Sequence, residues 1–203
     1  MNHFAYKTRA MVLLALFTLP LQAMAHSSDD GGGFLAGLAH PVMGMDHLLA
    51  MVSVGIVSAL IGGRHIWVVP SCFVGAMVFG TFVGIWQWNL PEPELWIGLS
   101  VLVLGVCIGI LAKRVPLVLI YVSVALFGLF HGYAHGVEMP NSASPAFYSF
   151  GFITTTSALH LLGVGVGELS IRRAFLLKGL RVAGWGMSLA GMWFTVQAVH
   201  GIS

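Results

Sequence analysis

Two short stretches of this 203-residue chain concentrate side chains that can bind a metal ion or move a proton. The first is His40-Pro41-Val42-Met43-Gly44-Met45-Asp46-His47 and the second is His131-Gly132-Tyr133-Ala134-His135-Gly136-Val137-Glu138. At about 100° per residue, His40 and His47 fall close to one helix face, two turns apart, with Asp46 beside that face. Pro41 can only follow a disturbed or starting helical turn, and Gly44 leaves room for a neighbouring backbone. A broken or re-entrant helix start is therefore expected here. In the second stretch His131, His135 and Glu138 are spaced i, i+4, i+7 and form one helical stripe. Imidazole nitrogen suits Ni, Cu, Zn, Co and Fe, and carboxylate oxygen adds charge neutralisation. Two other uses stay open from the residues alone: a polar network that fastens one helix to the other, and a proton relay.

Further residues are weaker candidates. His160 lies in an apolar run with Thr154, Thr155 and Thr156 before it and Glu168 two turns after. It suits either an inward extension of a pathway or a hydrogen bond between helices. His26, with Asp29 and Asp30 nearby, could capture metal through its imidazole if it becomes the N-terminal residue. Met43, Met45 and Met51 offer soft sulfur, although methionine more often fills gaps. His65 and His200 are expected to be solvated.

The elements that must carry these residues are apolar. The chain is 58% hydrophobic and 8% charged, against about 25% charged residues in soluble domains. A formal charge of +2 and the lack of any Lys/Arg run give no reason to expect nucleic acid as a partner. Cys72 and Cys107 sit inside apolar runs and do not read as a disulfide framework. Lys7 and Arg9, the apolar run Ala10 to Leu19, and Ala23-Met24-Ala25 read as a secretory signal peptide over residues 1–25. Residues 26–203 then form one transmembrane domain.

A helix needs roughly 20 apolar residues to cross a bilayer. Phe34–Leu60, Ile66–Trp86, Leu95–Leu111, Pro116–Val137, Ala146–Gly167 and Leu180–Val199 meet that need, with helix breakers between them. Arg64, Lys113, Arg114, Arg172, Arg173, Lys178 and Arg181 all follow spans one, three and five. The alternate loops and the mature tail carry Asp29, Asp30, Glu92 and Glu94, a positive-inside pattern. The expected fold is all-α: a polytopic membrane helical bundle of six transmembrane helices after a cleaved signal peptide, with both mature ends outside. Span one then runs inward and span four outward. Both clusters lie in the outer half at comparable depth and offer four imidazoles and two carboxylates to one cavity. Gly80/Gly84, Gly105/Gly109, Gly128/Gly132/Gly136 and Gly163/Gly167 recur four apart and permit close helix contacts.

At its two clusters the sequence resembles the HupE/UreJ family of bacterial nickel permeases. The resemblance covers essentially the whole mature chain and rests on His40-Pro-x-x-Gly-x-Asp46-His47, with Leu48-Leu49-Ala50-Met51 after it, and on Phe130-His131-Gly-x-Ala-His135-Gly-x-Glu138. It implies import of Ni2+ or Co2+ across the inner (cytoplasmic) membrane, with His40, Asp46, His47, His131, His135 and Glu138 as metal ligands. It also implies a functional link to hydrogenase or urease maturation. No nucleotide motif is present, so the expected protein is a secondary transporter or facilitator. It is expected not to be an enzyme and to hold no prosthetic group, with the metal ion and membrane lipid as its partners. Two other classes compete: a di-haem membrane cytochrome with paired histidines, and an intramembrane hydrolase using metal-activated water. The acids beside the histidines argue against the first. The lack of G-x-S-x-G and H-E-x-x-H motifs argues against the second.

Overall fold

The structure is a computed structural model that describes residues 31–201. The predicted signal peptide and His26 lie outside the described residues. Seven α-helices follow one another with no strand among the described residues. They are α1 (Gly31–Met43), α2 (Met45–Ile61), α3 (His65–Ile85), α4 (Pro93–Ile110), α5 (Leu117–Val137), α6 (Pro145–Ile171) and α7 (Ala174–Val199). A 3-10 turn, Ala112–Arg114, joins α4 to α5. Pro93 and Pro145 open α4 and α6, where a missing N–H costs nothing because that donor has no helical partner.

The expected first span is two helices. Gly33–Met43 and Met45–Ile61 meet at 82°, as the Pro41 and Gly44 pattern predicts. Four helices, α3 to α6, are each long and apolar enough to cross a membrane, and the bent α1–α2 pair makes a fifth candidate span. The predicted sixth span, Leu180–Val199, lies within α7. That helix has 26 residues but is not among the spanning candidates, because glycines, two tryptophans and Gln197 dilute its aliphatic content. The helices also outrun the predicted spans. Lys178 and Arg181, expected in a loop, lie on α7. Arg181 turns its Nε–H to the Gly109 carbonyl at 2.9 Å, satisfying an otherwise free acceptor near the end of α4.

Glycines decide which helices touch most closely. Gly80 and Gly84 of α3 lie against the α5 backbone at Leu129 and Tyr133, while Gly132 and Gly136 of α5 lie against Met77 and Thr81 of α3. Gly105 and Gly109 bring α4 onto α7, and Gly163 brings α6 onto α2 at Val52. Without a hydrophobic force between helices in lipid, this close backbone approach supplies the packing energy. A Cβ on Gly132 would overlap the Met77 carbonyl oxygen. Gly132→Ala is therefore expected to destabilise the bundle by about 1–3 kcal/mol, the usual range for overpacking. A lowered thermal midpoint in detergent checks this, and an unchanged midpoint would contradict the α3–α5 contact.

The core runs through Met51, Val54, Phe73, Met77, Phe127 and Phe152, all buried. Phe79, Phe82, Phe150, Leu161 and Trp193 are exposed. Large apolar side chains spread so widely over an exterior suit contact with lipid rather than water.

Candidate functional site

The break between α1 and α2 sets the first cluster. His40 sits in the last turn of α1, one residue before Pro41. The chain turns at Gly44, which has extended backbone (φ −89°, ψ 119°). A Cβ at Gly44 would lie 2.8 Å from Asp46 Oδ1 and 3.1 Å from His47 Nδ1, so the side chains of the site occupy the space a larger residue would take. Asp46 falls in the first turn of α2, where a carboxylate is favoured by the helix dipole. Its Oδ1 accepts the His47 backbone N–H at 2.7 Å and the His47 ring Nδ1–H at 3.1 Å.

The second cluster comes from the last two turns of α5. His131 and His135 are one turn apart and both fully buried. His131 Nδ1 lies 2.8 Å from the Phe127 carbonyl oxygen. A carbonyl only accepts, so Nδ1 carries the proton and Nε2 of the neutral ring keeps its lone pair. The carboxylate of Asp46 imposes the same tautomer on His47. Anchoring one ring nitrogen to an acceptor while the other stays bare is how metal-ligating histidines are oriented.

The fold brings both clusters together. The His47 ring centroid is 5.0 Å from that of His131, 5.5 Å from that of His135 and 5.8 Å from that of His40. His40 and His135 are 4.6 Å apart. His47 Nε2, His131 Nε2 and both nitrogens of His135 are buried without a hydrogen-bond partner. Buried polar groups are normally paired, so each of these needs a physical reason. The four rings meet edge-on, at 61° to 85°. Among the described residues no three His, Cys, Asp or Glu side chains already form a closed metal cage. Shared ligation of one ion would require these rings to rotate.

Acids stand beside the rings. Glu138, just past the end of α5, places Oε2 3.3 Å from His40 Nε2. Partial burial pushes its carboxyl above the usual carboxylate range, His47 opposes that shift, and Glu94 and Asp46 add to it. Glu94, in the first turn of α4, is thus close enough to sense Asp46 and Glu138. In the sequence Glu94 reads only as an outer-loop charge. Two aromatic residues also line the site: Phe152 stacks on His135 at 4.5 Å and 5°, and the Tyr148 ring lies 6.1 Å from that of His40. An aromatic residue in an apolar run carries no sequence signal that separates it from ordinary core.

The weaker candidates divide. His160 is buried in α6 and meets Phe73 rather than the four-histidine group. Met43 and Met45 are exposed, whereas Met51 is a core residue. His65 is not merely solvated: its Nδ1 is 2.6 Å from the Tyr121 hydroxyl. His200 is exposed, with Nδ1 2.8 Å from the Val196 carbonyl oxygen.

Comparison with known proteins covers this whole region. A sequence model described as HupE / UreJ protein matches residues 14–194, a range that contains both clusters. Protein HupE of Rhizobium leguminosarum bv. viciae is 40% identical over 178 residues, spanning 88% of this chain and 92% of that protein. No solved structure matches. With all-helical architecture, several apolar helices of membrane-spanning length and this match, the chain belongs to the HupE/UreJ family.

Proposed function

We propose that this protein is an inner-membrane secondary transporter or facilitator that imports a divalent transition-metal ion, Ni2+ first and Co2+ as the alternative. The observation that carries the reading is the pairing of His47 with His131. Each holds one ring nitrogen on an acceptor and keeps Nε2 buried and unpartnered, with the rings 5.0 Å apart. His40, Asp46, His135 and Glu138 complete the proposed ligand set, and His160 serves further along the route. His26 stays a weaker proposal at the outer end.

Ionisable residues inside a membrane are costly and mark pathways by default. Two neutral imidazoles facing each other gain from a cation between them, and nearby carboxylates offset its charge. The basic residues after α2, α4 and α6 support an inner location for those loops. A six-span arrangement with both mature ends outside follows if α7 also crosses. The membrane potential supplies about 4.6 kcal/mol per 100 mV for a divalent ion, twice the single-charge value. Import therefore needs no nucleotide. Family membership supports nickel and a role in supplying hydrogenase or urease.

The test is nickel and cobalt uptake by proteoliposomes carrying wild type, Asp46→Asn or His131→Ala. Asp46→Asn keeps an oxygen that can accept the His47 Nδ1–H but loses the charge. It is expected to weaken uptake about 10–100-fold, the range for removing a partner of a metal ligand. His131→Ala should lose more. Wild-type rates in both folded variants would sink the proposed site.

A further inference from the structure

One aromatic ring touches both the four-histidine group and His160. Phe73 of α3 is fully buried. Its ring centroid is 5.3 Å from that of His131 and 5.3 Å from that of His160, edge-on to both at 62° and 87°. His160 is only 2% exposed, and neither of its ring nitrogens has a hydrogen-bond partner. A histidine kept to join two helices would show such a bond.

Beside His160 lies an open groove of about 500 Å³ between α3 and α6, bordered by Ile66, Pro70, Ser71, Ser157 and the exposed Trp67 and Leu161. Ile66 and Trp67 belong to the first turn of α3, next to Arg64. The groove therefore runs from His160 toward the basic end of the bundle, away from Asp46 and Glu138.

We propose that Phe73 is the gate between the outer cluster and an inner ligand, His160, and that the α3–α6 groove is the way out. This rests on the transport reading above and adds the inner half of the route. An ion held by two imidazoles sits about 2 Å from each donor nitrogen. The phenyl ring packs against both His131 and His160, so an ion handed from one to the other must pass it. It offers no donor and no room for a hydrated ion, so passage requires the ring to turn aside.

Three features allow that movement. The groove beside Pro70 and Val74 provides space. Pro70 lies inside α3 one turn before Phe73, and without an N–H it leaves the Ile66 carbonyl unbonded and weakens the helix there. The Phe73 carbonyl packs against Gly128 of α5, which fixes its backbone and leaves side-chain rotation as the motion.

The experiment uses the full chain in proteoliposomes with nickel alone, reading equilibrium binding and flux separately. His160→Ala should leave nickel binding at the outer cluster in place and lower flux by at least about tenfold. Phe73→Ala should also keep affinity within about twofold but raise flux, whereas Phe73→Trp should lower it. If His160→Ala fails to fold, Ser157→Cys in a Cys72→Ser, Cys107→Ser background supplies the second measurement with the gate intact. A membrane-impermeant thiol reagent should label it from the Arg64 side only. Wild-type flux in His160→Ala and Phe73→Ala overturns the gate while leaving the outer site standing. So does a Ser157→Cys that reacts from neither side, as a lipid-filled groove would give. A wild-type protein that neither binds nor moves nickel overturns the transport reading itself, and the gate with it.

Discussion

Replacing His47 with alanine is expected to reduce nickel uptake by more than about 100-fold, above the 10–100-fold range for losing a partner of a ligand. No other ring in the cluster is so central. It neighbours His40, His131 and His135, and its tautomer is set by Asp46. Its removal takes away one bare Nε2 and also the proton that the Asp46 carboxylate accepts. The second half of this prediction concerns coupling. If His47 and His131 hold the same ion, the double variant should be little worse than His47→Ala alone, because residues in one network do not add. Uptake measured at fixed membrane potential checks both parts. Losses that multiply would show two independent sites.

Acid should switch the transport off. A proton and a metal ion compete for the same Nε2 lone pair, so affinity falls as pH falls. Below its pKa each ligating imidazole costs up to one decade of affinity per pH unit, so two together cost up to about 100-fold per unit. Protonation of Glu138, whose carboxyl burial already raises, removes compensating charge in the same direction. With the potential clamped, uptake should therefore decline and steepen once the pH falls below the pKa of the ligating imidazoles. A rise toward acid pH would contradict imidazole ligation and point to proton-driven import.

Much of this was legible from residue types. His40, Asp46 and His47 beside Pro41 and Gly44 announced both the cluster and the bend. The i, i+4, i+7 stripe of His131, His135 and Glu138 announced a helix face. Opposite running directions placed the two clusters at one depth, and the ring distances fit that inference. Glycines four apart marked the α3–α5, α4–α7 and α2–α6 contacts, since nothing else in a lipid-facing helix needs so small a residue. What stayed hidden depended on side chains meeting across the fold. Phe73, Phe152 and Tyr148 look like any buried aromatic until their neighbours are histidines. Tyr121 gives no hint of its bond to His65. Glu94 looked like a solvated loop acid because its distance to Asp46 and Glu138 is set by helix packing rather than by sequence spacing.

Imidazoles of both clusters are expected to hold the transported ion together. Nickel K-edge X-ray absorption of the loaded full-length protein tests this most directly. Nitrogen and oxygen scatterers are expected at about 2.0–2.2 Å with the outer-shell pattern of at least two imidazoles. That pattern should weaken in either His47→Ala or His131→Ala. A shell dominated by sulfur at about 2.3 Å, or an imidazole pattern unchanged in both variants, would contradict it.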